Sequence, residues 1–293
     1  MINFPMLEGL PIRKFLYIVD LDDTLLNRSA CLSENILKGI SNLIEQGALI
    51  TYITGRNWTS SYEIMNKTNI QCPVGVLNGA LIIDFNSGKH LKCFSIDKEI
   101  IESIFLFMSE FKVKLIITVA INNKVKRYAV NNNNNIKFKN NIEFVVDEEC
   151  ECVVFREMLN NNIISISIEG YGDNFKELYQ ALKDKFYKYV NINLYNDPID
   201  KRRLIINLLS ADISKGVAAE FISQYLNISC ENMVAFGDSI IDLELLEKVG
   251  KGISIGNTLP QLGFNTYENL VYDEGISVIK YIEEHYKRNE EKI

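Results

Sequence analysis

A short apolar segment that runs directly into an acidic loop constrains the fold of this chain most. Residues Phe15 to Val19 (FLYIV) are continuously apolar, which predicts a central parallel strand buried on both faces. The acidic segment Asp20 to Thr24 (DLDDT) follows at once. An amphipathic helix is predicted after Ser33, and a second buried strand, Leu49 to Ile53, ends at the polar turn Thr54-Gly55-Arg56. This strand, helix, strand order predicts a doubly wound, Rossmann-like α/β sheet.

The α/β rhythm is interrupted in the middle of the chain. A hairpin followed by mixed helical and strand patterns predicts an inserted α+β cap domain over residues 86–204. The core domain is then expected to comprise residues 1–85 and 205–293, and the strand predicted at Leu204 to Leu208 is taken as the return to the core. Five asparagines, Asn131 to Asn135, predict an exposed loop within the insert.

Composition excludes several classes of protein. The chain has 293 residues, 47% of them hydrophobic, enough for one large and one smaller core. A formal net charge of −7 disfavours a nucleic-acid partner, because phosphate backbones are bound through clustered basic side chains. No apolar run reaches the roughly 20 residues of a membrane helix, and the first residues lack signal-peptide order. Six cysteines without a CxxC pair and two histidines give little material for a zinc site.

These properties predict a soluble cytoplasmic protein with reduced thiols and no nucleic-acid or membrane partner, and they leave a small anionic substrate possible. We expect a monomer or a weak homodimer.

Four polar segments follow predicted strands or begin predicted helices of the split core. They are Asp20 to Thr24 (DLDDT), Thr54-Gly55 within ITGR, Lys215-Gly216 within SKG, and Gly237 to Asp242 (GDSIID). Such segments meet at the carboxyl edge of an open α/β sheet. Their order resembles the four motifs of the haloacid dehalogenase superfamily. The long insert and the NGA at Asn78 to Ala80 are similar to the large-cap, Cof-type branch of its phosphatases, subfamily IIB.

The resemblance implies a role for each polar residue, and the chemistry requires the same residue types. Asp20 would attack phosphorus and form an aspartyl-phosphate. Asp22 would protonate the leaving oxygen and later accept a proton from the hydrolytic water. Thr54 and the amides around Gly55 would bind phosphoryl oxygens, and Lys215 would offset negative charge on the nucleophile and the phosphate.

The same resemblance implies Mg²⁺ as the cofactor, because magnesium prefers hard oxygen ligands. The expected ligands are the carboxylates of Asp20 and Asp238, the backbone carbonyl of Asp22, and Asp242 directly or through water. Acidic residues at a helix start also commonly cap the helix, so capping stays an alternative for Asp238 and Asp242.

Several positions remain open on sequence alone. Ile241 stands where large-cap members commonly carry Asn, and Asn207 stands where they often carry an acid. Arg56 and Asp23 fit either a supporting role in the site or a surface position. Lys201 to Arg203 could contact a second anionic group or form a solvated cluster.

The function predicted is hydrolysis of a small phosphorylated metabolite, such as a sugar phosphate, by a phosphoric monoester hydrolase. A phosphomutase with the same aspartyl-phosphate and a phosphate-binding pseudoenzyme, suggested by Ile241, are the alternatives. Trp58 and Tyr62 could line the cleft or pack beneath it.

Overall fold

The structure is a computed structural model that describes residues 15–109, 111, 114–131, 159–196, 200, 202–261 and 268–290. The chain divides into two compact units. The first contains the segment up to Leu91 and the segment from Ser214 onward, and the second runs from Lys92 to Ile213.

The strands, in chain order, are β1 (Leu16–Val19), β2 (Leu49–Tyr52), β3 (Pro73–Val76), β4 (Leu81–Asp84), β5 (His90–Cys93), β6 (Lys114–Ile121), β7 (Lys124–Asn131), β8 (Asn162–Tyr171), β9 (Val190–Asn196), β10 (Arg203–Ser210), β11 (Met233–Gly237), β12 (Lys251–Ile255) and β13 (Glu268–Leu270). The α-helices are α1 (Glu34–Glu45), α2 (Trp58–Met65), α3 (Lys98–Met108), α4 (Asp173–Phe186), α5 (Lys215–Leu226), α6 (Leu243–Lys248), α7 (Thr258–Gln261) and α8 (Ile276–Glu290).

The first unit is built on a parallel sheet with the strand order β13-β12-β11-β1-β2. β1 is fully buried and lies between β2 and β11, with Val19 in register with both Tyr52 and Phe236. The chain leaves β1 toward β2 on one side and continues from β11 toward β13 on the other. The carboxyl ends of β1 and β11 therefore flank a topological switch point, where α/β proteins form their ligand crevice. The predicted doubly wound α/β sheet is confirmed.

Helix α1 shows how the local sequence sets these elements. The Ser33 hydroxyl accepts a hydrogen bond from the Ile36 amide, and the buried face of the helix consists of Ile36, Ile40 and Leu43. Gly47, at φ +101°, follows the helix and turns the chain into β2. The apolar periodicity and the predicted cap are both present in the structure.

The predicted hairpin is present as β4 and β5, which extend β3 into a three-stranded sheet with the order β3-β4-β5. β3 also meets the segment after β2, where Ile53 forms an isolated parallel bridge with Gly75. This small sheet thus fixes the residues that immediately precede Thr54.

The second unit has an antiparallel sheet with the order β7-β6-β8-β10-β9. Its apolar core contains side chains from α3, α4 and the sheet, including Phe105, Leu182, Ile166 and Leu208.

The strand predicted at Leu204 to Leu208 exists as β10, but its predicted place in the core domain is wrong. β10 pairs with β8 and β9 inside the second unit, with Asn207 in register with Ser167 and Asn193. The second unit accordingly spans 92–213 in the structure, whereas the sequence predicted 86–204. Two antiparallel neighbours hold β10 in place, and an apolar run by itself does not reveal which strands it pairs with.

In the part of the chain that the structure describes, no helix combines the length and apolar character that crossing a membrane would require. Most of the predicted asparagine loop, residues 132–135, lies outside the described residues.

Candidate active site

Lys215 lies at the centre of the carboxylate cluster. Its Nζ is 2.8 Å from Asp20 Oδ1 and 2.6 Å from Asp242 Oδ1. All three residues are buried, with Lys215 only 2% exposed and Asp242 fully enclosed. The structure thus brings together the first, third and fourth predicted motifs.

The local sequence places Lys215 at the first position of α5. The Ser214 hydroxyl caps this helix by accepting a hydrogen bond from the Val217 amide at 3.1 Å. The next residue, Gly216, approaches Glu244 so closely that a Cβ atom would lie 2.8 Å from the Glu244 carbonyl oxygen. Glycine at this position therefore lets α5 approach the start of α6, beside Asp242.

Asp242 is held by hydrogen bonds from its own loop. Its Oδ2 accepts from the amides of Asp238 and Ser239, at 3.2 and 3.0 Å, and from the Ser239 hydroxyl at 2.7 Å. A Cβ on Gly237 would lie 2.5 Å from the Asp242 Cβ, so the fourth motif also needs glycine for close packing. The capping interpretation is correct for Asp242, which at the same time faces Lys215.

Asp20 and Asp238 follow neighbouring strands. The Asp20 amide donates to the Phe236 carbonyl at 3.0 Å, which joins the loop after β1 to the end of β11. The Thr24 hydroxyl donates to Asp238 Oδ1 at 3.2 Å. Thr24, the last residue of the DLDDT segment, thereby orients a carboxylate of the GDSIID segment.

Burial and mutual repulsion control the charges here. Burial raises the pKa of Asp20, and the carboxylates of Asp242 and Asp238 raise it further. The positive charge of Lys215 lowers this pKa but does not cancel the increase. Burial and Asp242 likewise raise the pKa of Asp238 to about 7. For Lys215, burial alone would lower the pKa, but Asp20 and Asp242 outweigh it and raise the pKa above its ordinary value.

The cluster has the donors that a divalent cation requires. Asp20, Asp238 and Asp242 each offer a carboxylate oxygen, and these oxygens lie within 4.8 Å of one another. When all three carboxylates are ionised, their negative charge exceeds the one positive charge of Lys215, and a bound cation would offset the excess. The residues fit a hard divalent metal ion.

The remaining predicted site residues lie in the loop after β2. Thr54 is fully buried, and its hydroxyl oxygen accepts from the Arg56 amide at 3.2 Å. The amide of Ile53 donates to the Val19 carbonyl, so Thr54 and Gly55 follow a segment paired with β1.

Asp22 is oriented by a residue whose role the sequence left open. Its carboxylate accepts from Arg56 Nε at 2.8 Å and from Arg56 Nη2 at 2.5 Å. The side chain of Asp22 is therefore engaged with Arg56, and the use of its carbonyl oxygen as a metal ligand stays a prediction. Asp23, the other residue left open, is exposed and has a positive φ of 52°.

Sequence reasoning did not assign roles to Thr24 or Ser239, although both lie within quoted motifs. The available signal was a hydroxyl side chain within one or two residues of a predicted metal ligand. Trp58 packs against Tyr62 and Phe85, with ring centroids 4.8 and 5.9 Å away.

A family model described as haloacid dehalogenase-like hydrolase matches residues 17–264, which include every residue of the site described above. The chain belongs to the haloacid dehalogenase-like hydrolases. The predicted family is confirmed. The predicted activity class, a phosphoric monoester hydrolase, is confirmed as well, because relatives of this chain are named phosphatases.

Two curated relatives illustrate the breadth of this family. A 5-amino-6-(5-phospho-D-ribitylamino)uracil phosphatase of Bacillus subtilis is 23% identical over 94% of this chain and 98% of its own length. An HMP-PP phosphatase of Yersinia enterocolitica is 23% identical over 83% of this chain and 84% of its own length.

Solved structures of the family share the fold. A haloacid dehalogenase-like hydrolase from Bacteroides thetaiotaomicron matches 93% of this chain and 99% of its own with a TM-score of 0.70 at 16% identity. A HAD subclass IIB sugar phosphatase matches 93% of this chain and 99% of its own with a TM-score of 0.66 at 16% identity. At these identities the likeness concerns the fold alone.

Proposed function

We propose that this haloacid dehalogenase-like hydrolase cleaves a small phosphomonoester through an aspartyl-phosphate formed on Asp20, with Mg²⁺ as its cofactor. The observation that carries this proposal is the buried contact of Lys215 with both Asp20 and Asp242, at 2.8 and 2.6 Å. A buried, cation-paired carboxylate at the end of the central strand suits nucleophilic attack on a phosphate group.

Each residue contributes a separate part of the reaction. The Asp20 carboxylate forms a bond to phosphorus while the bond from phosphorus to the leaving oxygen breaks. Asp22 gives its proton to that oxygen and afterwards takes one from the water that hydrolyses the aspartyl-phosphate. Thr54 and the amides around Gly55 bind phosphoryl oxygens, and Lys215 keeps Asp20 oriented and partly offsets its charge.

Magnesium is the proposed metal because the donors of Asp20, Asp238 and Asp242 are all hard carboxylate oxygens. When bound, the ion would supply positive charge at the phosphate. Both oxygens of Asp242 already accept hydrogen bonds, which supports a water-mediated contact for this residue.

The relatives and the chemistry of the site support a substrate class. The named relatives act on a phosphorylated ribitylaminouracil and on HMP-PP, and a structural neighbour is a sugar phosphatase. We propose a small phosphorylated metabolite of this size, with a sugar phosphate as the first choice to test.

A phosphate-release screen over sugar, nucleotide and cofactor phosphates, with and without magnesium, tests this function. Magnesium-dependent release of phosphate is expected for at least one compound, and Asp20→Asn should abolish it. No release by folded protein would favour the pseudoenzyme. Conversion of a hexose phosphate into an isomeric phosphate, without free phosphate, would favour the phosphomutase.

A further inference from the structure

The carboxylate of Asp22 is half exposed yet held at both oxygens. Its side chain is 46% exposed, whereas the Arg56 side chain that binds it is only 16% exposed. Arg56 Nε donates to Asp22 Oδ2 and Nη2 donates to Oδ1, at 2.8 and 2.5 Å. A two-bond fork of this kind fixes the plane of a carboxylate as well as its position. An exposed aspartate without such a partner would sample several rotamers.

Arg56 is itself fixed at both its backbone and its guanidinium group. Nη1 donates to the Ser60 hydroxyl at 3.0 Å, in the first turn of α2. The Arg56 amide donates to the Thr54 hydroxyl oxygen, and the Arg56 carbonyl accepts from the Leu77 amide at 2.8 Å. The guanidinium therefore has little freedom to leave Asp22.

The contact from Leu77 comes from an unusual turn. Leu77, Asn78 and Gly79 have φ values of 52°, 56° and 91°, and such values are uncommon for residues other than glycine. The Asn78 amide donates to the Thr54 carbonyl at 2.8 Å, beside the bond from Leu77 to Arg56. Two consecutive left-handed residues thus aim adjacent amides at the loop that carries Arg56. Left-handed backbone at residues other than glycine persists where surrounding contacts hold it in place.

We propose that Arg56 is a positioning residue that orients Asp22 toward the leaving-group oxygen, and that the turn Leu77–Gly79 holds Arg56 in place. This inference rests on the proposed function. After Asp22 has given its proton to the leaving oxygen, the fork of Arg56 stabilises the carboxylate that remains. Arg56 thereby fixes the orientation of the acid/base residue Asp22, which the DLDDT segment by itself does not fix.

A comparison of two leaving groups tests this role. An alkyl phosphate such as a hexose phosphate needs a proton on its leaving oxygen, whereas para-nitrophenyl phosphate releases a stable phenolate without one. Since kcat/KM covers the steps up to departure of the leaving group, Arg56→Met should lower kcat/KM for the alkyl phosphate about 10- to 100-fold. The value for para-nitrophenyl phosphate should change less than about threefold. Arg56→Lys, which keeps the charge and loses the fork, should give an intermediate loss with the alkyl phosphate.

A double mutant separates positioning from other roles. If Arg56 acts through Asp22, Arg56→Met should cause no further loss in an Asp22→Asn background. Arg288→Met is the matched control, because Arg288 pairs with Glu284 on the exposed side of α8. It should leave both kcat/KM values unchanged.

Two outcomes would overturn the inference. Equal losses with both substrates would show that Arg56 acts on the phosphate or the fold, and additive losses in the double mutant would show that it acts independently of Asp22. Arg56→Lys serves if Arg56→Met fails to fold. If the wild-type protein turned over neither compound, the proposed function would be overturned together with this inference. That result differs from the two above, in which the wild-type protein is active.

Discussion

The Nζ of Lys215 lies 2.8 Å from Oδ1 of Asp20 and joins the start of α5 to the end of the central strand. The same ammonium also contacts Asp242, so one side chain ties three motifs together. The catalytic proposal and the stability of the site both depend on this ammonium group.

Removing Lys215 should destabilise the protein strongly, because Asp20 and Asp242 would remain buried without their cation. We expect Lys215→Met to lower the free energy of unfolding by about 3–5 kcal/mol at neutral pH. The loss should shrink at acidic pH, where Asp20, whose pKa is raised by burial, can protonate. Denaturant unfolding followed by circular dichroism measures it.

Lys248→Met is the matched control, because Lys248 pairs with Glu220 on a well-exposed surface. This variant should unfold almost like the wild type, as exposed ion pairs contribute little. Equal destabilisation by the two variants would contradict the stabilising role of Lys215 between the buried carboxylates.

Asp20→Asn should have the opposite effect on stability. The substitution removes one negative charge from a cluster with three carboxylates and one ammonium, and Lys215 keeps its 2.6 Å contact with Asp242. We expect the metal-free variant to melt at the same temperature as the wild type or higher, while kcat falls by about 10⁴-fold or more. Thermal unfolding in a chelator, paired with phosphate-release assays, checks both statements. A variant that unfolds more easily than the wild type would contradict the charge balance described above.

Metal binding should depend on pH through Asp238. Since burial and Asp242 raise the pKa of Asp238 to about 7, a proton competes with the cation below that pH. Through Asp238 alone, Mg²⁺ affinity should rise about tenfold per pH unit up to about pH 7, and Asp20, whose pKa is also raised, should add to this dependence. Calorimetric titration at several pH values measures this slope. A flat profile, or one unchanged in Asp238→Asn, would argue against Asp238 as a ligand.

The same pKa gives a stability prediction of defined sign. Folded Asp238 has a pKa of about 7, above its ordinary value of 3.8, so the folded protein binds this proton more tightly than the unfolded chain. The contribution of Asp238 to stability should fall as pH rises from about 4 to about 7 in metal-free protein. Asp238→Asn should flatten that part of the curve of melting temperature against pH, and an unchanged slope would exclude Asp238 as its cause.

Gly216 should be intolerant of a side chain. A Cβ there would lie 2.8 Å from the Glu244 carbonyl oxygen, so Gly216→Ala must push α5 away from α6. We expect a loss of about 1–3 kcal/mol in unfolding free energy and reduced kcat, because Lys215 would shift. Gly39→Ala in α1 is the control, since its Cβ would lie 2.7 Å from Cγ2 of Ile279 and would disturb packing between α1 and α8 rather than Lys215; it should leave kcat unchanged. Equal effects of both substitutions on kcat would contradict this role of Gly216.

The sequence predicted the strands and the carboxylate cluster well, for physical reasons. Buried parallel strands such as β1 read as continuous apolar runs, and the topology of an α/β sheet brings the residues after β1 and β11 to one edge. Asp20, Lys215 and Asp242 could therefore be expected together although more than two hundred positions separate the first from the last.

Two features could not be predicted, because they depend on long-range pairing and on backbone conformation. An apolar run does not show which strands it pairs with, so the sequence places β10 in the core domain although it pairs with β8 and β9. The fork between Arg56 and Asp22 depends on the left-handed turn at Leu77 and Asn78, and leucine gives no sequence signal for such a conformation.

The most direct test of the central claim is to trap the covalent intermediate. Asp22→Asn protein with magnesium and para-nitrophenyl phosphate should still phosphorylate Asp20, because this leaving group needs no proton, but should hydrolyse the product slowly. After acid quenching, peptide mass spectrometry should find one phosphoryl group on the peptide that contains Asp20, and none when Asp20→Asn is added. Phosphorylation of a different residue, or release of phosphate without any labelled Asp20, would contradict the account.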